Sequence, residues 1–205
     1  MAPLLRATRV IMSDLYLASK SPRRRQLLRQ IGVRHTVVDV NVPEVQAINE
    51  LPLDYVQRLA CAKALAGALL FNDKPVLGAD TIVVLPQGGK FDVLEKPKNK
   101  DHAIAMLMSL SDKQHQVITA VSICHHQRCE TRVNTSIVEF RPIDERTALR
   151  YWQTGEPADK AGAYGIQGLG GVFVRQIVGS YSSVVGLPLF ETTELLTQFN
   201  VDYWR

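Results

Sequence analysis

Apolar positions along this chain switch repeatedly between the two-residue period of a half-buried strand and the wider spacing of an amphipathic helix. Leu15 to Leu17 is a short apolar strand, followed by a Ser-rich loop. From Pro22 the spacing turns helical, with Ser21 a natural N-cap and Pro22 a natural first helical residue. HTVVDVNVPE is strand-like through Val37, Val38 and Val40, and the helical spacing returns with Tyr55, Val56, Leu59, Ala60, Ala64 and Leu65. PVLGADTIVVL is a β-branched run expected to be buried, PQGGKFD supplies turn residues, and VLEKP reads as the return strand of a hairpin. DHAIAMLMSL is helical, and QVITAVSICHH and TRVNTSIVEF are alternating strands joined by a tight connection. IDERTALRYWQTG is a helix closed by Gly155. A Gly-rich stretch then reads as loop, strand and loop, and LFETTELLTQF is the last helix.

Helices and strands interleave, which predicts an α/β fold with a mixed twisted sheet flanked by helices, in two lobes around a cleft. There is no repeat, low-complexity segment or linker, so residues 14–205 are read as one domain. Residues 1–13 are read as a dispensable extension, with Met12 a candidate working start, and Arg6 and Arg9 interrupt what would be the apolar core of a signal peptide.

Composition adds little: 46% hydrophobic and 21% charged residues describe an ordinary globular chain. No apolar run is long enough to span a membrane, so no membrane partner is expected. Three cysteines give no disulfide framework, which points to a reducing, cytoplasmic setting. Charge is more informative. The net is +4, but residues 1–35 alone hold eight Lys/Arg against one acid, so the excess is local. A duplex-binding surface would spread its cations along a face, and no aromatic platform accompanies this cluster. No nucleic-acid partner is expected; a small polyanion is.

Arg23, Arg24 and Arg25 stand at a helix N-terminus, where cations oppose the macrodipole by roughly 0.3–1 kcal/mol each. Either they are solvated, or something anionic docks in front of them with the help of the free amides and of Ser19 and Ser21. Asp80 interrupts an otherwise apolar strand; it either caps a neighbouring loop at the strand's end or meets a cation, a metal or strong hydrogen bonds. Lys63 lies among Ala and Leu on its helix, where an ammonium can snorkel to solvent. Lys96 precedes the strand-ending Pro97, and Glu44 follows Pro43 in a loop. Together they supply two carboxylates and several cations, the inventory for metal-assisted attack on a phosphate.

Two other patterns are set aside. Cys124-His125-His126 with Cys129 has a zinc-like look, but it falls on a hairpin connection with no second ligand pair at zinc-finger spacing. YGIQGLGGVF is not a dinucleotide fingerprint, since a strand rather than a helix follows it.

LASKSPRR, LACAKA, LGADTIV, LEKP, DKAGAYGIQG and GSYSSVVGLP together resemble the Maf family of nucleoside triphosphate pyrophosphatases, over nearly the whole chain from Leu15. The resemblance implies a fold akin to the inosine triphosphate pyrophosphatases, usually as a homodimer. It implies a reaction that turns a nucleoside triphosphate and water into the monophosphate and pyrophosphate, with a divalent metal, Mg²⁺ or Mn²⁺. Asp80 matches the acidic catalytic position, as base or metal ligand, and Glu44 matches a second acidic position able to share the metal. Ser19 and Arg23, with Arg24 a further candidate, match the phosphate-binding motif; Lys63 and Lys96 match the cleft lysines. Arg23, Thr81 and Gln167 match the specificity positions of the branch acting on dTTP and UTP, possible because a Gln amide can pair with the N–H and carbonyl edge of uracil or thymine. Lys20 departs from the family's usual small residue between the two serines. The alternative reading is a nucleotide-sensing regulator of cell division and septum formation with little turnover.

Overall fold

The computed structural model of the protein describes residues 14–204; the proposed extension at residues 1–13 lies outside the described residues. The first strand, β1 (Leu15–Leu17), runs through a serine loop into helix α1 (Pro22–Gln30), and β2 (His35–Val37) pairs parallel to β1. Helix α2 (Pro52–Leu70) leads to the long strand β3 (Val76–Gln87), which turns through Gly88 and Gly89, both at positive φ, into β4 (Lys90–Leu94). After α3 (Lys100–Leu110), β5 (Gln114–His125) and β6 (Arg128–Phe140) form the second hairpin, followed by α4 (Glu145–Trp152). Three 3₁₀ turns build the Gly-rich stretch, and β7 (Val174–Val178), α5 (Tyr181–Val185) and α6 (Leu189–Gln198) complete the chain.

All seven strands join one sheet in the order β2-β1-β3-β5-β6-β7, with β4 also on β3. β1 pairs parallel with β2 and β3, and the remaining ladders are antiparallel, so the sheet is mixed as the interleaved pattern predicts.

One edge of β3 is covered by β5 from Val76 to Val84. The other edge is shared: β1 takes Val76 and Leu77, and β4 takes Val83 to Gln87. The sheet therefore splits along residues 78–82, and the cleft between the two parts opens there. In open α/β sheets ligands settle at the carboxyl ends of parallel strands beside such a change of direction, and the loop leaving β1 lies at this split.

The core is divided accordingly. Leu15, Leu17, Leu27 and Leu28 pack with Leu187, Leu195 and Leu196 on one side of the gap. Leu107, Leu110, Phe140, Tyr151 and Phe173 fill the other. Between them α2 lies directly on β3. A Cβ added at Gly78 would fall 2.5 Å from the Ala60 carbonyl oxygen and nearer still to the Ala64 nitrogen, so glycine is what lets the helix approach this closely.

Three local readings change. Ser21 occupies the N-cap position of α1, but its side chain makes no capping bond; its amide donates to Ser19 Oγ instead, at 3.3 Å. The return strand of the first hairpin ends at Leu94, so Glu95 and Lys96 follow it in a bend. The segment after β7 contains α5, capped by the Ser180 side chain, where only loop was expected. The cysteines also depart from expectation, since Cys124 and Cys129 are joined as a disulfide across the β5–β6 hairpin. No described helix is long and apolar enough to cross a membrane.

Candidate active site

The split at β3 opens into a cleft of about 510 Å³. It is lined by the β1–α1 loop, Glu44, α2, the middle of β3, the segment after β4, the first two 3₁₀ turns and the end of α5. Of the residues singled out from the sequence, Ser19, Arg23, Arg24, Glu44, Lys63, Asp80, Thr81 and Lys96 all line it. Gln167 does not: it is exposed beside Ile166, which does line the cleft.

Asp80 is buried, and its position in β3 is neither a strand end nor a loop cap. Its Oδ1 accepts from Lys63 Nζ at 2.6 Å, and the same ammonium donates to Glu44 Oε1 at 2.5 Å. Lys63 does not snorkel. The close seating of α2 on Gly78 keeps it 9% exposed, one cation held between two carboxylates. Burial pushes the Asp80 carboxyl above the ordinary aspartate value, although Lys63 and Arg24 pull against it. For Glu44 burial works in the same direction but loses: the Lys63 hydrogen bond and charge, with Lys96 and Arg24, hold that carboxyl below its usual value. Two neighbouring carboxylates with opposed shifts are suited to different tasks.

Arg24 faces this pair across the cleft. Its guanidinium donates to the Gly186 carbonyl oxygen (2.8 Å), to Ser19 Oγ (3.1 Å) and to Thr81 Oγ1 (3.1 Å). All three acceptors are neutral. Burial lowers its pKa despite the attraction of Asp80. A desolvated cation with its fork fixed by neutral oxygens, beside the unpaired amides of the first turn of α1, is a prepared anion site. Lys20 lines the cleft in an exposed ion pair with Asp39, 2.8 Å long, which contributes little to stability.

Thr81 belongs to a second network. Thr119 Oγ1 lies 2.8 Å from the Ser183 carbonyl oxygen and 3.0 Å from Thr81 Oγ1. The Thr119 hydroxyl donates towards both oxygens, so Thr81 accepts from Thr119 as well as from Arg24. Arg24 occupies one lone pair of Thr81. Thr119 occupies the other, so what Thr81 has left to offer the cleft is its own hydroxyl proton, a donor.

Several lining residues escaped the sequence reading. Glu95 accepts from Tyr55 OH at 3.0 Å and stands beside Lys96 because β4 has already ended; strand alternation would have put the two on opposite faces. Asp159 and Lys160, an ion pair within DKAGAYGIQG, close the far side. The following glycine loop is ordered by Glu156, whose carboxylate accepts from Tyr151 OH (2.6 Å) and from the Leu169 and Gly170 amides (2.8 and 2.9 Å). The signal was there, in a charged pair beside a Gly-rich run, but no spacing rule marks it.

Fold and cleft define an α/β protein with a site for a small polyanion, in which two carboxylates stand opposite an arginine-bearing helix start. Residues 14–199 match the family described as Maf-like protein, and the chain belongs to the Maf family. It is 53% identical over 197 residues to the dTTP/UTP pyrophosphatase of Saccharophagus degradans, covering 94% of this chain and 92% of that one. Identity to the proteins of the same name from Vibrio cholerae (52%; 92% and 99% covered) and Shigella dysenteriae (51%; 92% and 94% covered) is similar. Among solved structures, the Ham1 protein of Staphylococcus aureus aligns with a TM-score of 0.45 and 17% identity, over 62% of this chain and 71% of that one.

Proposed function

We propose that this chain is a nucleoside triphosphate pyrophosphatase that hydrolyses dTTP and UTP to the monophosphate and pyrophosphate. The observation that carries the reading is the Glu44–Lys63–Asp80 cluster facing Arg24 across one cleft. Relatives of about 50% identity that bear this activity as their name support the substrate.

The triphosphate docks against the start of α1, where Arg23, Arg24 and Ser19 bind its oxygens; Lys96 reaches in from the segment after β4. Two carboxylate oxygens that already share one cation at hydrogen-bond distance are hard donors of the kind Mg²⁺ or Mn²⁺ takes, so Asp80 and Glu44 fit the role of metal ligands. When bound, such a metal polarises the phosphoryl oxygens and lowers the pKa of water. Asp80, with its raised pKa, accepts the proton of the water that attacks the α-phosphorus. The α–β bridging bond breaks, and Lys63, Lys96 and Arg23 stabilise the charge that grows on the phosphoryl oxygens and on the departing pyrophosphate.

Base choice is assigned to Thr81, Arg23 and Gln167. The hydroxyl proton left on Thr81 suits the O4 carbonyl of uracil or thymine, whereas cytosine presents an amino donor there and leaves two donors opposed. Gln167 would join from the rim, where Ile166 already lines the cleft. Residues 14–205 act as the catalytic domain and as a homodimer, two statements that rest on the family resemblance; the cytoplasmic setting rests on the low cysteine count.

The test is a product assay with Mg²⁺ or Mn²⁺ and dTTP, UTP, CTP, GTP, ATP and 7-methyl-GTP. Monophosphate and pyrophosphate from dTTP and UTP are expected. A purine preference would sink the base assignment, and tight binding without turnover would favour the regulatory reading.

A further inference from the structure

The zinc-like pattern set aside in the sequence gains a third member in the fold. Cys124 and Cys129 face each other across the β5–β6 hairpin with Cα atoms 4.1 Å apart. Cys61, 68 residues before Cys129, comes up from the middle of α2, and its sulfur lies 3.7 Å from Cys129 Sγ. All three sulfurs fall within 4.8 Å of one another. Cys124 is buried, Cys61 half-buried and Cys129 exposed, so the group sits at the surface with one side open to solvent. Its residues lie outside the cleft lining.

Two chemistries could use three such sulfurs, and distance separates them. For Cys61 to exchange with the disulfide, its sulfur must approach Cys129 in line with the bond to Cys124. That would hold the outer sulfurs roughly 5.7 Å apart, given an S–S bond of about 2.0 Å. They are closer than that, and the arrangement is a triangle. Around tetrahedral Zn²⁺, with Zn–S near 2.3 Å, neighbouring sulfurs lie roughly 3.8 Å apart. The Cys61–Cys129 separation matches.

We propose that the reduced form of Cys61, Cys124 and Cys129 is a binding site for a thiophilic d¹⁰ cation, Zn²⁺, with its fourth position open to water. A phosphine reductant supplies two electrons to open the disulfide and becomes the phosphine oxide, the oxygen and the two thiol protons coming from water. The three thiols then lose three protons to the solvent as the three S–Zn bonds form. Loaded, the site ties the hairpin tip to α2, two residues from Lys63. It differs from the proposed catalytic metal site in donor type, sulfur against oxygen, so excess Mg²⁺ does not compete for it.

The full chain, reduced with a phosphine and held in excess Mg²⁺, is titrated with Co²⁺ and then Zn²⁺. One equivalent of Co²⁺ is expected to give thiolate-to-cobalt charge transfer with the intensity of three sulfurs, which Zn²⁺ displaces and oxidation to the disulfide abolishes. Cys61→Ser and Cys129→Ser, neither fully buried, are each expected to weaken Zn²⁺ binding roughly tenfold or more. No sulfur charge transfer in the reduced chain, or a Cys61→Ser protein that binds Zn²⁺ as tightly as the unmodified one, overturns the proposal.

Discussion

Lys63 and Asp80 form a buried ion pair, Nζ to Oδ1 at 2.6 Å, made by seating α2 on the glycine two residues before the aspartate. Removing one partner of such a pair leaves the other charge desolvated, typically at a cost of 3–5 kcal/mol. Lys63→Met is therefore expected to lower unfolding free energy by about 3 kcal/mol at neutral pH. Asp80→Asn added to it should restore part of that loss, a non-additivity that a double-mutant cycle in denaturant measures. The same substitution has a kinetic signature. In the proposed mechanism Asp80 works in its ionised form, so kcat/KM is expected to rise with pH through its titration. Without Lys63 its already raised pKa climbs further, and the rising limb of the profile moves to higher pH.

Gly78→Ala tests the seating itself. The added methyl meets backbone atoms of Ala60 and Ala64, which cannot swing away as a side chain could. The helix must lift, so a stability loss of about 3 kcal/mol or more is expected, together with loss of turnover as Lys63 leaves Asp80. Denaturation midpoints and rates on one preparation check both.

The proton direction in the Thr119–Thr81 pair predicts a selectivity change without a large loss of chemistry. Thr119→Val removes a donor to Thr81 and frees one of its lone pairs to accept from the cytosine amino group. The ratio of kcat/KM for UTP over CTP is expected to fall roughly tenfold, about the worth of one hydrogen bond, while Thr119→Ser keeps it. If Thr119→Val left the ratio unchanged and Thr81→Val abolished it, Thr81 would select the base without help from Thr119.

His115 governs a separate pH dependence. It is 1% exposed, bonded through Nε2 to Tyr164 OH at 2.9 Å, and burial lowers its pKa from 6.5 to about 4. Between those values the unfolded chain binds a proton that the folded one refuses. The stability linked to this group is thus complete above pH 6.5 and declines as pH falls towards 4, by roughly 3 kcal/mol in all. Urea titrations at pH 6.5 and pH 4 should show a smaller difference for His115→Gln than for the unmodified chain.

Much of this was legible in the chain. Period-two and helical spacings marked the long elements, and Asp80 stood out because a carboxylate in an apolar strand demands a partner. The local excess of arginine pointed to an anion at α1. Other features depend on distance that spacing does not encode. Lys63 read as a snorkelling surface lysine because nothing in LACAKALAGALL reveals how closely Gly78 admits the helix. Arg24 and Thr81 are far apart in sequence and meet only when β1 pairs with β3. Cys61 gave no sign that the hairpin cysteines would lie beside it, and α5 is too short to show a period.

The central claim is that the Asp80 carboxylate, held by Lys63 and shared with Glu44 around one metal, drives hydrolysis at the α-phosphorus. Pyrophosphate release from UTP and dTTP by Asp80→Asn, beside the unmodified protein in the same Mg²⁺ buffer, tests it most directly. A loss of roughly a thousandfold in kcat is predicted, in a protein that still folds and binds nucleotide although loss of the Lys63 pair lowers its stability. An Asp80→Asn protein that turns over at the unmodified rate would contradict the account.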